Sequence, residues 1–268
     1  MTATPSVLVL RAAGTNCDVE TAYAFEHFGA KATALHVNRL LAEPELLARH
    51  HVLALPGGFA YGDDAGAGAV LACELGSALA QPLTDFVAGG GLVLGICNGF
   101  QALVRLGLLP GLDAPLGVQD VSLADNDSLK YEDRWVSLGI ASRRCVFVGD
   151  MPAPELPVAH GEGRIVPRDA AVARRMVSED RVVFRYCGPD GRPTQDYPAN
   201  PNASEDAIAG LTDATGRVLG LMPHPERAFF GYHHPEWTRS THAGGTPPEL
   251  GPGAALFANA CDWVRSNR

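Results

Sequence analysis

The sequence predicts an α/β protein built on a doubly wound, mostly parallel sheet, with an additional mixed or antiparallel strand region in its second half. Two observations carry the first part of that expectation. Short β-branched and Leu-rich runs alternate with helix-length segments as far as Leu106, and Gly-containing turns close several of them. A third observation carries the rest: beyond Leu116 the strand-like runs continue, but regular helices no longer separate them.

Taken in order, residues 7–11 read as a first strand and residues 18–28 as a helix. Residues 32–37 and 43–49 repeat the pair, and residues 52–55 form a third strand closed by Pro56-Gly57-Gly58. A helix is expected around residues 82–88, with Pro82 in its first turn, where a missing N–H costs least. Residues 92–96 are a fourth strand and residues 100–106 a helix ending at Gly107. In the second half, residues 135–140, 145–148, 157–159 and 182–186 read as strands. Residues 208–211 and 217–221 read as a hairpin, residues 231–252 as a long Pro-, Gly- and His-rich loop, and residues 253–267 as a final amphipathic helix. In a sheet of this kind, sites lie beyond the carboxyl ends of the parallel strands.

Composition narrows the function classes. The 268 residues are 46% apolar and 19% charged, an ordinary globular balance, with a formal net charge of −9. That charge disfavours nucleic acid or an anionic membrane as the main partner. No apolar run approaches the roughly 20 residues that span a bilayer, and no secretory leader is evident, so a cytoplasmic protein is expected. Cysteines 17, 73, 97, 145, 187 and 261 form no C-x-x-C pair or zinc-ligand spacing, which predicts free thiols and no metal in this chain. Loop histidines 233, 234 and 242 have no cysteine or carboxylate cluster beside them, and Asn202-Ala-Ser204 matches a glycosylation sequon by chance.

One cysteine stands out by its setting. Cys97 lies between a strand and a helix, with Gly95 and Gly99 two residues away on either side, the spacing of a nucleophile elbow. The turn must be sharp, so its close neighbours must lack side chains; the helix behind presents its positive end to a thiolate, and the Asn98 N–H faces the oxyanion formed on attack. The same pattern also describes a Gly-rich junction holding a buried cysteine. Upstream, Pro56-Gly57-Gly58-Phe59 can supply a second oxyanion donor from either glycine, or simply make a tight turn. Downstream, His224-Pro225-Glu226 offers a base and a carboxylate to orient it, although such a phrase is more often a surface turn.

Together these features resemble the class I, triad-type glutamine amidotransferases. Longer phrases narrow the resemblance to the glutaminase components of phosphoribosylformylglycinamidine synthases: Gly14-Thr-Asn-Cys17, Pro56-Gly-Gly-Phe-Ala-Tyr-Gly-Asp63, Gly95-Ile-Cys-Asn-Gly-Phe-Gln101, Leu108-Leu-Pro-Gly111, Ala159-His-Gly-Glu-Gly-Arg164, Asn200-Pro-Asn202 and Met222-Pro-His-Pro-Glu-Arg227. The resemblance implies one flavodoxin-like domain over residues 1–268, with a loop insertion around 231–252. It implies a γ-glutamyl thioester on Cys97, His224 as proton carrier, Glu226 as its orienting partner, and an oxyanion hole from the Gly58 and Asn98 N–H groups. Phe59, Gln101, His160, Gly161 and Glu162 match positions expected near the substrate. The ammonia released would pass to a separate synthetase chain that binds ATP and Mg²⁺, with a small bridging subunit between them; no Walker P-loop occurs here. One departure is that Tyr61-Gly-Asp-Asp-Ala-Gly-Ala-Gly-Ala69 lacks the arginine that usually follows Tyr-Gly-Asp. A glutaminase for another synthetase, a stand-alone cysteine hydrolase and a catalytically silent binding subunit are the alternatives.

Overall fold

In the computed structural model, which describes residues 3–113, 116–242, 246 and 248–268, the chain builds one nine-stranded sheet from both halves of the sequence. Its strands are β1 (Ser6–Arg11), β2 (Lys31–His36), β3 (Val52–Leu55), β4 (Leu92–Ile96), β6 (Glu132–Ile140), β7 (Glu155–His160), β9 (Val182–Cys187), β10 (Ile208–Thr212) and β11 (Val218–Leu221). They lie in the order β2-β1-β3-β4-β11-β10-β9-β6-β7. The first five are mutually parallel and the remaining pairings are antiparallel. The expected mostly parallel sheet and its antiparallel extension are therefore a single surface. A separate two-stranded ribbon pairs β5 (Val121–Asp125) with β8 (Glu162–Pro167).

The central strands explain why this half of the chain was legible. All residues of β3, β4 and β11 are buried, as continuous apolar runs covered on both faces should be. Helices α1 (Asp18–His27), α2 (Val37–Ala42), α3 (Ala69–Ala88) and α4 (Asn98–Arg105) provide the cover in the first half, and α7 (Ala254–Asn267) packs against α1.

Four expectations need correction. The helix expected from residue 82 begins at Ala69, and Pro82 sits inside it. Leu71, Leu75, Leu79, Leu83 and Phe86 form one buried stripe along α3, so packing continues across the hydrogen bond that proline removes. The helix expected at residues 43–49 is a 3₁₀ segment, Pro44–Arg49, and the α-helix of this region, α2, precedes it at Val37–Ala42. Residues 145–148 form turns rather than a strand; Cys145, Phe147 and Val148 are apolar because they are fully buried, and Asn259 of α7 donates to the carbonyls of Phe147 and Val148. Finally, the second half does contain a regular helix, α5 (Ala170–Ser178), capped by Asp169, whose side chain accepts from the Ala171 and Val172 N–H groups. Within the long loop the chain forms α6 (Trp237–His242), and a bridge pairs Phe230 with Leu250. Residues 243–245 and 247 of that loop lie outside the described residues.

Candidate active site

The nucleophile candidate stands where β4 gives way to α4. Cys97 has φ 50° and ψ −105°, a strained geometry for a residue with a side chain. Its N–H continues the β4–β11 ladder by donating to Leu221 O at 2.8 Å. The two flanking glycines are sterically required. A Cβ on Gly95 would lie 2.6 Å from Leu103 Cδ1, and one on Gly99 would run into the carbonyl of Leu55. The turn therefore forms only because the two backbones touch.

His224 follows β11, the parallel neighbour of β4, so strand pairing brings both residues to the same end of the sheet. Its N–H donates to Pro157 O of β7 at 2.8 Å, and the Cys97 thiol donates to Ala159 O at 3.6 Å. The far edge of the sheet thus curls over the site. His224 Nδ1 lies 2.6 Å from Glu226 Oε1, with both side chains buried, and Nε2 has no conventional hydrogen-bond partner. Burial is the largest single influence on the imidazole and works to lower its pKa. It is outweighed by the charges of Glu226 and Cys97 and by hydrogen bonding with Cys17 and Cys97, which together hold the ring well above the ordinary histidine value.

The Pro-Gly-Gly turn lies alongside. Gly57 O accepts from the Asn16 N–H at 3.3 Å and the Cys17 N–H at 3.2 Å. A trans peptide points its C=O and N–H in opposite directions, so the Gly58 N–H of that same peptide faces away from this loop. Gly58 borders a cavity of about 340 Å³ that Cys97 also lines. Asn98 heads α4, where its N–H has no acceptor within the helix. Of the two glycines, Gly58 is the one that borders the cavity.

Phe59, Gln101, His160, Gly161 and Glu162 all border the same cavity. Their connections differ. Gln101 spends its polar atoms internally, accepting from Asn98 Nδ2 at 3.0 Å and donating to Glu162 O. Glu162 Oε2 accepts from the Ala67 N–H at 3.0 Å. His160 is turned by Asn126, whose Oδ1 lies 3.0 Å from His160 Nδ1 and also accepts from the Gly163 N–H, which makes Nδ1 the donor. Its Nε2 is buried and unpaired. Burial, and then the charge of His224, push the His160 pKa down to about 3, so the ring is neutral and Nε2 is an acceptor. Phe59 is exposed at the rim, its ring 6.3 Å from that of Tyr131.

Several neighbours had no role in the sequence reading. Tyr131, Lys130, Asp125 and Asp63 line the cavity, and burial first, then Cys97, push the Tyr131 phenol upward. Asp63 accepts from Asn98 Nδ2 at 2.8 Å. Arg105 reaches the segment that lacks the usual arginine, its Nε donating to Ala67 O at 2.7 Å. Cys17 is a second thiol against His224, 3.9 Å from Nδ1. The phrases containing Asp63 and Cys17 were visible as motifs, but only the fold reveals what they touch. Among the described residues, Cys17, His224 and Glu226 are a group whose ligand atoms lie within 4.8 Å of one another. Arg227 Nη2 donates to Cys17 Sγ at 3.0 Å, so a guanidinium already supplies positive charge there. Of the loop histidines, His234 pairs with Glu155 at 2.9 Å. Asn202 is fully buried, donating to Gly163 O and the Tyr186 hydroxyl, which leaves the sequon no room for a glycan.

A strained cysteine at a strand–helix elbow, a carboxylate-held histidine and a free backbone donor define a site for acyl transfer from an amide. Residues 4–264 match the CobB/CobQ-like glutamine amidotransferase domain. The chain is similar to phosphoribosylformylglycinamidine synthase subunit PurQ of Dehalococcoides mccartyi, 44% identical, with 96% of this chain and 97% of that protein covered. PurQ of Archaeoglobus fulgidus is 42% identical, with 96% of each covered. Among solved structures, PurLQS from Thermotoga maritima contains a chain matching at TM-score 0.71 and 29% identity, over 98% of this chain and 100% of that one. The chain belongs to the glutamine amidotransferase family, within its PurQ branch. None of the helices among the described residues is long and apolar enough to cross a membrane.

Proposed function

We propose that this chain is the glutaminase subunit of a phosphoribosylformylglycinamidine synthase, a reading carried by Cys97 and Gly58 bordering one cavity, with His224 following the strand beside that of Cys97, in a chain of the PurQ family. Cys97 attacks the side-chain carbonyl carbon of glutamine while His224 takes the thiol proton. The carbonyl oxygen becomes an oxyanion held by the Gly58 and Asn98 N–H groups. His224 returns the proton to the departing nitrogen, ammonia leaves, and a γ-glutamyl thioester remains on Cys97. His224 then draws a proton from water, which attacks the thioester, releases glutamate and restores the thiol. Glu226 holds the tautomer in which Nε2 does this work.

His160, Gly161, Glu162, Phe59 and Gln101 shape the glutamine pocket. The neutral His160 Nε2 is suited to accept from a donor on the amino acid, whereas Gln101 acts through Asn98 and Glu162. The ammonia serves a PurL-type synthetase, with a PurS-type subunit completing the assembly, and ATP and Mg²⁺ belong to the synthetase. The working compartment is the cytoplasm.

The test replaces Cys97 by alanine in the reconstituted complex. Glutamine-dependent synthesis should be lost, and synthesis from added ammonium should remain. Glutamine-dependent turnover surviving Cys97→Ala would overturn the assignment. A second measurement compares glutaminase turnover of the isolated chain with that of the complex; turnover is expected to rise on assembly.

A further inference from the structure

The loop between β1 and α1 touches both halves of the reaction machinery. Its backbone is zipped to the oxyanion turn: the Asn16 and Cys17 N–H groups donate to Gly57 O, and the Phe59 N–H donates back to Gly14 O at 2.9 Å. Its side chain reaches the base. Cys17 Sγ is 3.9 Å from His224 Nδ1, donates to Asn16 Oδ1 at 3.1 Å, and accepts from Arg227 Nη2 at 3.0 Å. Between the two stands Gly57, where a Cβ would lie 2.7 Å from His224 Cε1 and 3.4 Å from Cys17 Sγ. Oxyanion turn, imidazole and Cys17 are thus in mutual contact around one bare α-carbon.

We infer that Cys17 is a positioning residue for the reaction, and that residues 14–17 form a clamp holding the Gly57–Gly58 peptide and the His224 imidazole in one shared geometry. This rests on the reading of Cys97 as the nucleophile. Two thiols face His224, but only Cys97 borders the cavity. Cys17 is fully buried behind Gly57 and engaged by Arg227 and Asn16, so it cannot meet glutamine. Its contribution passes through the imidazole and the oxyanion donor. Both must be placed to within a fraction of an ångström for attack, because displacements of about 1 Å cost on the order of 10²-fold in rate. Hydrogen bonding between the ring and Cys17 is also among the interactions that raise the His224 pKa. The other ionisable groups acting on that ring are Glu226 and Cys97, with Arg227, Tyr131 and His160 around them.

The experiment compares Cys17→Ala and Cys17→Ser with the parent in the reconstituted complex. It measures kcat and KM for glutamine hydrolysis, the pH at which kcat/KM falls on the alkaline side, and alkylation of Cys97 by iodoacetamide, read on its own peptide by mass spectrometry. Cys17→Ala should lower kcat by about tenfold or more while leaving KM within about twofold. The alkaline limb should move to lower pH, because imidazolium is lost earlier, and Cys97 alkylation should move to higher pH, because the thiolate loses that neighbouring cation. Cys17→Ser keeps a smaller donor and acceptor and should recover part of each. A folded Cys17→Ala with parental kcat and an unmoved alkaline limb would overturn the proposal. Should Cys17→Ala fail to fold, the serine variant decides alone: parental kcat and pH profile would overturn the proposal equally. Failure of the triad assignment itself would show separately, as activity surviving Cys97→Ala.

Discussion

The imidazole of His224 rests on the bare α-carbon of Gly57: a methyl group built there would lie 2.7 Å from Cε1 of the ring. The turn after β3 and the turn after β11 are therefore fitted closely to each other. Gly57→Ala is expected to push the ring aside and lower glutaminase kcat/KM by about 10²-fold, with the folded state retained by circular dichroism. A folded variant with more than half the parental activity would show that this contact does not set the ring.

Glu226 supplies the largest of the influences that raise the His224 pKa and fixes the ring through Nδ1. Glu226→Gln removes the charge and keeps the shape. We expect kcat to fall by about 10²–10⁴-fold, the range seen when a base loses its orienting carboxylate. The alkaline limb of kcat/KM should move to lower pH, since the imidazolium that protonates the leaving nitrogen is no longer favoured. Steady-state rates between about pH 6 and 10 would settle this, and an unmoved limb would count against Glu226 as the source of the shift.

His160 confers sensitivity to acid. Its folded pKa is about 3, against an ordinary value of about 6.5 when unfolded. Above about pH 6.5 neither state holds the proton and the residue is silent; as pH falls below that toward its folded value, only the unfolded chain is protonated there. Stability therefore drops with falling pH, by at most about 1.4 kcal/mol per unit from this residue. His224, shifted the other way, has its full contribution in place below about pH 6.5 and is constant across that window. His160→Gln should flatten the dependence of the urea midpoint on pH between about 6.5 and 5. Equal slopes for variant and parent would exclude His160.

Asn98 does two things with one residue. Its N–H is the oxyanion donor proposed above, and its side chain ties down the turn beyond Phe59, accepting from the Ala60 N–H at 3.0 Å and donating to Asp63 at 2.8 Å. Asn98→Ala keeps the first function and removes the second, at about 1 kcal/mol per hydrogen bond lost. Glutamine KM should rise several-fold, and amide exchange across residues 60–66 should accelerate. Unchanged exchange there would mean the strap is held by other contacts.

The parallel half of the fold was legible because β3 and β4 are continuous apolar runs punctuated by glycine turns. The elbow at Cys97 was legible for a related reason: it needs Gly95 and Gly99, and those glycines stand in the sequence as a spacing. What local pattern hid was packing between distant segments. Residues 145–148 look like a strand because they are buried, but they are buried under α7. Pro82 looked like a helix start because local propensity cannot register the stripe from Leu71 to Phe86. Gln101 matched a position near the substrate, yet its amide is engaged by Asn98 and Glu162. Cys17 was visible only as part of a phrase, since its meaning is its distance from His224.

The insertion of β11 between β4 and β10 has a consequence for how the site comes into being. Cys97 and His224 are 224 − 97 = 127 residues apart in the chain, yet they leave neighbouring strands paired in register, Ile96 opposite Leu221. During synthesis Cys97 emerges long before His224. On the mechanism proposed above, a chain that ends before β11 holds the cysteine but not the imidazole that takes its proton. On those roles, hydrolytic competence arrives only when this late strand closes the gap between β4 and β10.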